Sequence, residues 1–476
     1  MNKEDICYMS ACDMREKIKT QELSSLEITE TIIERIEKIN PFVNAYCTTT
    51  FDLAREMALK ADDAVKNREK LGLLNGIPLS IKDLMMTKGI KTTFGSKFHE
   101  NFIPEVDDIA VQRLKEAGCV MLGKVNTSEF GHIALTNNKI FGETKNPWNL
   151  DRNSGGSSGG SASAVASGLG PISLGSDGGG SIRVPSSLCG VYGLKPNFGR
   201  IPIYPQIGNA FKSMEHYGPI ARCVKDAALM LDVVKSFHPA DSSSFPDRDI
   251  DYVDILKEKP KKIKIGYSMT LGFFKALDEE VEKIVIDNAE KFTQFDWSVE
   301  NVKLKLKRPE STVIKIITSG FAHDMQEEYE KHPEDLSIDL RNIIKAGSTY
   351  KGSDIINAKA QQGQLYDQMY NYFKEYDILI TPTTPIPAFK VEWLDTGTKY
   401  PSVKGRELSA TSWISFTYPF NLTGHPAASI PCGWSEEGLP IGMQIVGKRY
   451  DEKTVLQISK AFEEIAPWQE KRPNFQ

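Results

Sequence analysis

No CxxC pair occurs among the seven cysteines, Cys7, Cys12, Cys47, Cys119, Cys189, Cys223 and Cys432. An odd, scattered set argues against a disulfide framework and against a zinc site. Free thiols fit a reducing compartment. No stretch approaches the ~20 consecutive apolar residues that a membrane-spanning helix needs. Met1–Met14 carries Lys3, Glu4, Asp5 and Asp13 and has no apolar segment of the signal-peptide kind. A net charge of −5 over 476 residues leaves no electrostatic footprint for nucleic acid or an anionic membrane. These absences make a cytoplasmic protein, with no direct contact to nucleic acid or membrane, the expectation.

What is present is ordinary for a large globular chain, with 40% apolar and 25% charged residues and length enough for a sizeable core. Ser24 and Glu27 have capping-box spacing, and Leu26, Ile28, Ile32, Ile33, Ile36 and Ile39 form a helical stripe that Asn40-Pro41 should end. Helices are also expected over Leu53–Lys66, Ile109–Ala117, Asp226–Val234, Asp278–Phe292, Ser353–Phe373 and Asp451–Ile465. Gly76–Ile81 reads as a turn entering a short buried strand. Further strands are expected at Cys119–Leu122, Ile263–Tyr267, Asp377–Ile380, Ala427–Ile430 and Ile441–Val446. Ser236–Lys262 is polar, is broken by Pro239, Pro246 and Pro260, and reads as a surface excursion. Strands and helices alternate to the end, so the class is α/β. No internal repeat or clean boundary is visible, so one large domain over 1–476 is expected.

Ser154–Ser163 contains only glycine, serine and alanine. Such a composition suits a flexible linker. The stretch nevertheless runs into Ala162–Val165, Pro171–Leu174 and Ile182–Pro185, with few charges between, and these apolar runs need burial. Glycine and serine here therefore serve close backbone packing and unusual dihedrals.

Gly178-Gly179-Gly180-Ser181 carries chemistry of its own. Three glycines before a serine leave backbone N–H groups free to converge on a developing oxyanion, with the serine as nucleophile. A tight turn with a capping serine is the plainer reading of the same residues. A phosphate-binding loop would require a lysine after the glycines, and none stands there. A serine nucleophile needs a base. There is no GxSxG elbow, and none of the histidines, His99, His132, His216, His238, His323, His332 and His425, sits in such a context. A lysine serves when burial makes it neutral. Lys82 follows the apolar Ile77-Pro78-Leu79-Ser80-Ile81 run, at the end of a buried strand. The plainer reading is a strand-end lysine reaching solvent. Asp83 is either its partner or an exposed neighbour.

Taken together, these segments resemble the amidase signature family. Gly76–Asp83 resembles its lysine segment, Gly155–Ser161 its serine-rich core, and Gly175–Pro185 with Cys189–Pro196 the segment of its nucleophile. Further echoes are Asn126–Gly131, Gly218–Arg222, Asp377–Pro385, Asn421–Pro426 and Gly438–Gly447, so the likeness spans nearly the whole chain. Its core motifs lie within 76–200, and it is weakest over about 237–376, where a more variable substrate-pocket region is expected.

The resemblance implies a single domain with a central mixed sheet flanked by helices on both faces. It implies Ser181 as nucleophile, Ser157 as bridging serine after a cis Gly156–Ser157 bond, and Lys82 as ultimate base. The N–H groups of Gly178, Gly179, Gly180 and Ser181 would hold the oxyanion. A small-molecule amide would be cleaved through an acyl-enzyme with no metal or organic cofactor. Asp177 and Arg183 are expected to brace the loop as an ion pair, Ser158 to bond within its own loop, and Cys189 to be buried. The family also includes the glutaminase component of the glutamine-dependent tRNA amidotransferase, its A subunit, in which a carboxylate before the Asn-Leu-x-Gly-x-Pro motif helps recognise glutamine. Ser409–Pro419 has none. Trp413, Phe416 and Tyr418 suggest an apolar wall instead, toward a small hydrophobic, linear or nylon-type amide, although each also suits a core. Thr411–Pro419, His132 and Thr318–Asp324 are the places where specificity is expected. In some relatives the Ser24–Ile39 helix faces a dimer partner or a membrane. Its charges suggest a docked surface helix here, and a homodimer is left open.

Overall fold

The computed structural model describes residues 1–206, 208–246 and 250–475. Eleven strands form one mixed sheet. In chain order they are β1 (Tyr46–Thr49), β2 (Pro78–Lys82), β3 (Val120–Val125), β4 (Ile172–Ser176), β5 (Tyr192–Lys195), β6 (Tyr217–Ala221), β7 (Lys264–Tyr267), β8 (Ser298–Asn301), β9 (Ile378–Pro382), β10 (Ala427–Trp434) and β11 (Pro440–Gly447). Their order across the sheet is β1-β3-β2-β4-β6-β5-β10-β11-β9-β7-β8. β2 runs parallel to both β3 and β4, whereas β6 runs antiparallel to β4.

Every residue of β2, β3, β4, β6, β9 and β11 is buried. Successive strand residues point to opposite faces, so both faces of the central sheet are covered, as the expected α/β architecture requires. The apolar, uninterrupted reading of Ile77–Ile81 follows from parallel neighbours on both sides.

The Ser25–Val43 helix buries Ile28, Ile32, Ile33, Ile36 and Ile39 and packs against the Phe51–Lys66 helix, as a docked surface helix does. It does not stop at Asn40-Pro41. Pro41 lies inside its last turn, and the helix ends where Asn44 turns left-handed at φ 50°. The Gly/Ser segment also folds: Gly159–Ala166 is a fully buried helix. A Cβ on Gly160 would lie 2.6 Å from the Asn126 carbonyl oxygen, so only glycine permits that approach. Ile182–Pro185 begins the buried Arg183–Cys189 helix, which contains Cys189.

Ser236–Lys262 is not wholly an excursion, though 247–249 lie outside the described residues. Tyr252 is fully buried, and the Asp254–Lys257 turn meets the closing Glu452–Ile465 helix, where Gln457 Nε2 donates to the Ile255 carbonyl at 3.0 Å. Among the described residues, two helices of ten or more residues escaped the periodicity reading, Glu310–Asp324 and Ile338–Gly347. The first is rich in Thr, Val and Ile, residues of modest helix propensity. Its packing against Ile338–Gly347 and against the Gly352–Glu375 helix overrides that preference.

Candidate active site

Strand direction assembles the site. β2 and β4 are parallel, with Ile81 opposite Leu174, so Lys82 and Ser176 emerge together at the carboxyl edge of the sheet. Open α/β sheets place ligands at this edge. Lys82 is fully buried, and its Nζ donates to Ser157 Oγ at 2.6 Å and to Ser176 Oγ at 3.0 Å. Burial lowers the Lys82 ammonium to about 7, against the opposing pull of Glu215 and Asp177. Asp83 is neither exposed nor directed at Lys82. It is buried, accepts hydrogen bonds from Thr93 N and Oγ1, and lies 3.8 Å from Lys124 Nζ.

Ser157 follows a cis Gly156–Ser157 peptide bond. Its carbonyl accepts from Thr136 Oγ1 at 3.2 Å, and Ser158 N donates to the Ser181 carbonyl at 3.2 Å, tying the two serine loops together. Ser158 Oγ donates to the Ser176 carbonyl. Ser181 is 8% exposed, and its hydroxyl makes no hydrogen bond among the described residues. Arg183 and Asp177 brace the loop between them. Arg183 Nη2 and Nε each lie 2.9 Å from the carboxylate, and Asn421 Nδ2 donates to it at 2.8 Å. Burial pushes the Asp177 carboxyl up, but Arg183, Lys195 and Asn421 prevail and hold it below the usual range.

A cavity of about 200 Å³ opens beside this edge. Its apolar wall comes from Leu84, Phe94, Phe130, Phe211, Phe321 and Met325. Its polar groups include Ser176, Glu215, Lys212, Asp324, Glu328 and His99. Phe211 packs against Gly178, so the cavity adjoins the Gly178–Ser181 loop although Ser181 is not on its wall.

The description "Amidase" belongs to the family model that matches residues 27–456. The chain belongs to the amidase signature family. It is 36% identical to the A subunit of the glutamyl-tRNA(Gln) amidotransferase of Carboxydothermus hydrogenoformans, over 98% of this chain and 99% of that one. It is 34% identical to an acylamidase of Rhodococcus erythropolis, over 99% and 98%. The crystal structure of a bacterial aryl acylamidase of the amidase signature family superposes with a TM-score of 0.91 at 31% identity, covering 97% of both chains. The chain is accordingly an amidase, a hydrolase acting on carbon–nitrogen bonds.

Of the four N–H groups read as the amidase's oxyanion donors, Gly180 N is already engaged, donating to Asp177 Oδ1 at 2.7 Å. Those of Gly178, Gly179 and Ser181 have no acceptor among the described residues. Gly180 has φ +138°, and a Cβ there would run into Thr417 Oγ1.

Of the residues read as an apolar wall, Tyr418 stands beside the glycine loop, its Cβ 3.9 Å from where a Cβ on Gly179 would lie. Trp413, Phe416 and Tyr418 are fully buried in the main core, and none lines the cavity. The wall aromatics are Phe94, His99, Phe130, Phe211, Tyr217 and Phe321, and of these only Phe321 falls in a stretch where specificity is expected from the sequence. A signal for two of them is present in the sequence. Phe94 and Phe130 each directly precede a glycine and adopt positive φ, of 53° and 48°. Their rings stack 6.3 Å apart, with His99 edge-on to both. His132 is buried with its Nδ1 2.7 Å from the Glu129 carbonyl, and is not on the cavity wall. Its neighbour Gly131 packs beside Ser157. Among the described residues, no helix is long and apolar enough to cross a membrane.

Proposed function

We propose that this amidase hydrolyses a small, largely apolar carboxylic amide through an acyl-enzyme on Ser181, with Ser157 and Lys82 as its proton relay. The observation that carries the reading is a desolvated lysine 2.6 Å from the serine of a cis Gly156–Ser157 pair. Neutral Lys82 takes the Ser157 hydroxyl proton as Ser157 takes that of Ser181. The freed Ser181 oxygen bonds to the amide carbonyl carbon, and the N–H groups of Gly178, Gly179 and Ser181 receive the resulting oxyanion. The proton on Lys82 returns through Ser157 to the amide nitrogen, and the C–N bond breaks to release ammonia or an amine. Water repeats the relay on the acyl ester, which frees the carboxylate and restores Ser181.

The cavity supports the substrate class. Aromatic and aliphatic side chains make most of its wall, and Glu215, Asp324 and Glu328 outnumber Lys212 among its charged groups. An uncharged or cationic amide suits it better than an anionic one. We place the protein in the cytoplasm and treat 237–376 as the variable part of a single domain over 1–476.

Likeness to the amidotransferase component keeps a second reading in view, ammonia release from glutamine in company with other subunits. The first experiment is intact mass after fluorophosphonate treatment of the wild type, Ser181→Ala and Lys82→Ala. A single adduct is expected on the wild type, none on Ser181→Ala and slow formation on Lys82→Ala. Equal labelling of Ser181→Ala would overturn the assignment. Hydrolysis of aryl and alkyl amides by the purified chain alone separates the independent hydrolase from the partner-dependent one.

A further inference from the structure

A side chain from outside the glycine loop holds one of its carbonyls. Thr417 is fully buried, just before the Pro419–Leu422 helix. Its Oγ1 lies 2.7 Å from the Gly179 carbonyl oxygen and 2.9 Å from that of Ile414. A hydroxyl has one hydrogen to donate. The Ile414 carbonyl already accepts from Thr417 N at 3.0 Å, whereas the Gly179 carbonyl has no other donor among the described residues. The hydrogen therefore goes to Gly179. The backbone around Thr417 is itself held. Its own carbonyl accepts from Arg183 Nη1 at 2.9 Å, and that of Phe416 accepts from Gln444 Nε2 at 2.8 Å.

A peptide unit is planar, and in the trans form its C=O and N–H point opposite ways. The Gly179–Gly180 unit is trans. Thr417 holds its oxygen, and Asp177 Oδ1 holds its nitrogen at 2.7 Å. Two clamps are needed, because glycine on either side leaves no Cβ to resist rotation of the unit. The next unit is held as well: Gly180 O accepts from Val184 N at 2.7 Å, which turns Ser181 N–H the opposite way. The unspent N–H groups of Gly179 and Ser181 belong to the units on either side of the clamped one, so its orientation decides where they point. We propose that Thr417 is a positioning residue for the oxyanion: acting through the Gly179–Gly180 peptide, its hydroxyl holds Gly179 N–H and Ser181 N–H in the directions that receive the charge. This rests on the reading of Ser181 as nucleophile given above.

The role has a kinetic signature. Donors fixed in advance act on the charge that develops in the transition state, not on the bound ground state. Loss of the clamp therefore slows the chemical step and leaves binding alone.

The experiment is fluorophosphonate labelling of Ser181 over a range of probe concentration and pH, in the wild type, Thr417→Val, Thr417→Ser and Thr417→Ala, with thermal melts confirming folding. Valine keeps the shape and loses the hydroxyl. Its maximal rate should fall about 10- to 100-fold, short of the roughly 10²- to 10³-fold of a donor removed outright, at an unchanged half-saturating concentration. Serine keeps the hydroxyl and should recover most of the loss although it lacks the methyl. Serine against alanine reads the same hydroxyl in a smaller side chain, which serves where the valine variant does not fold. The pH at which labelling rises should match the wild type in every variant, because the clamp leaves the burial of Lys82 untouched. Valine as fast as wild type, serine as slow as alanine, a loss carried by the half-saturating concentration, or a moved pH rise overturns the proposal. Wild-type protein that labels away from Ser181 overturns the reading of the nucleophile itself, and the proposal with it.

Discussion

Arg183 and Asp177 form an ion pair with both side chains fully buried, at 2.9 Å from Nη2 to Oδ1. The remaining donors of Arg183 also find acceptors, at Thr417 O, Gln444 Oε1 and Asn421 Oδ1. One guanidinium thus ties the glycine loop to β11 and to the segment before β10. Arg183→Met should leave Asp177 buried without its counter-charge, at a cost of about 3–5 kcal/mol. Denaturant unfolding at neutral pH measures this. The sign with pH follows from the depressed carboxyl of Asp177. Its stabilising share is present above the ordinary carboxylate range and is lost as pH falls through the folded value. The variant should therefore lose least, relative to wild type, at the acid end. A loss below about 1 kcal/mol would show that the pair does not brace the loop.

Two neighbouring glycines make a matched comparison. A Cβ on Gly180 meets Thr417 Oγ1 and sits on a backbone at φ +138°, whereas the nearest atoms to a Cβ on Gly179 are 3.9 Å away. Gly180→Ala should displace the loop and slow Ser181 labelling by about 10²-fold or more, the scale of losing an oxyanion donor. Gly179→Ala should stay within about tenfold of wild type. Equal effects would place the constraint outside the Gly180–Thr417 contact.

A distant carboxylate helps Ser10 cap the Ala11–Lys19 helix. Asp226 accepts from Ala11 N at 2.8 Å and from Cys12 N at 3.0 Å, capping the first turn of Ala11–Lys19. Asp226→Ala strips both donors of their acceptor, at about 1–3 kcal/mol. Limited proteolysis should then cut within the first ~20 residues well before the rest of the chain. Unchanged cleavage would mean that packing of Met14 and Ile18 holds the helix alone.

Local pattern carried most of the elements. Burial on both faces writes β2, β9 and β11 as apolar runs, and the stripe of Ser25–Val43 is a helical period. In Gly159–Ala166 the flanking apolar runs announced burial, and the close packing expected of its glycines is seen where Asn126 presses against Gly160. Trp413, Phe416 and Tyr418 have the chemistry of a pocket wall and are fully buried in the core, whereas Phe211 and Phe321 line the cavity beside the site. Composition cannot separate the two fates, because an aromatic ring suits a dry core and a substrate cavity alike.

By itself, the sequence determined the α/β class, and its resemblance to the amidase signature family, carried by local glycine loops and a lysine ending an apolar run, implied Lys82, Ser157 and Ser181 as the candidate relay. Tertiary structure alone decided that Ser176 joins Lys82, that Asp83 turns away to Lys124, and that Gly180 N is spent on Asp177. Those relations depend on which strands lie side by side and in what register, and register is set by the burial of both sheet faces rather than by any one segment.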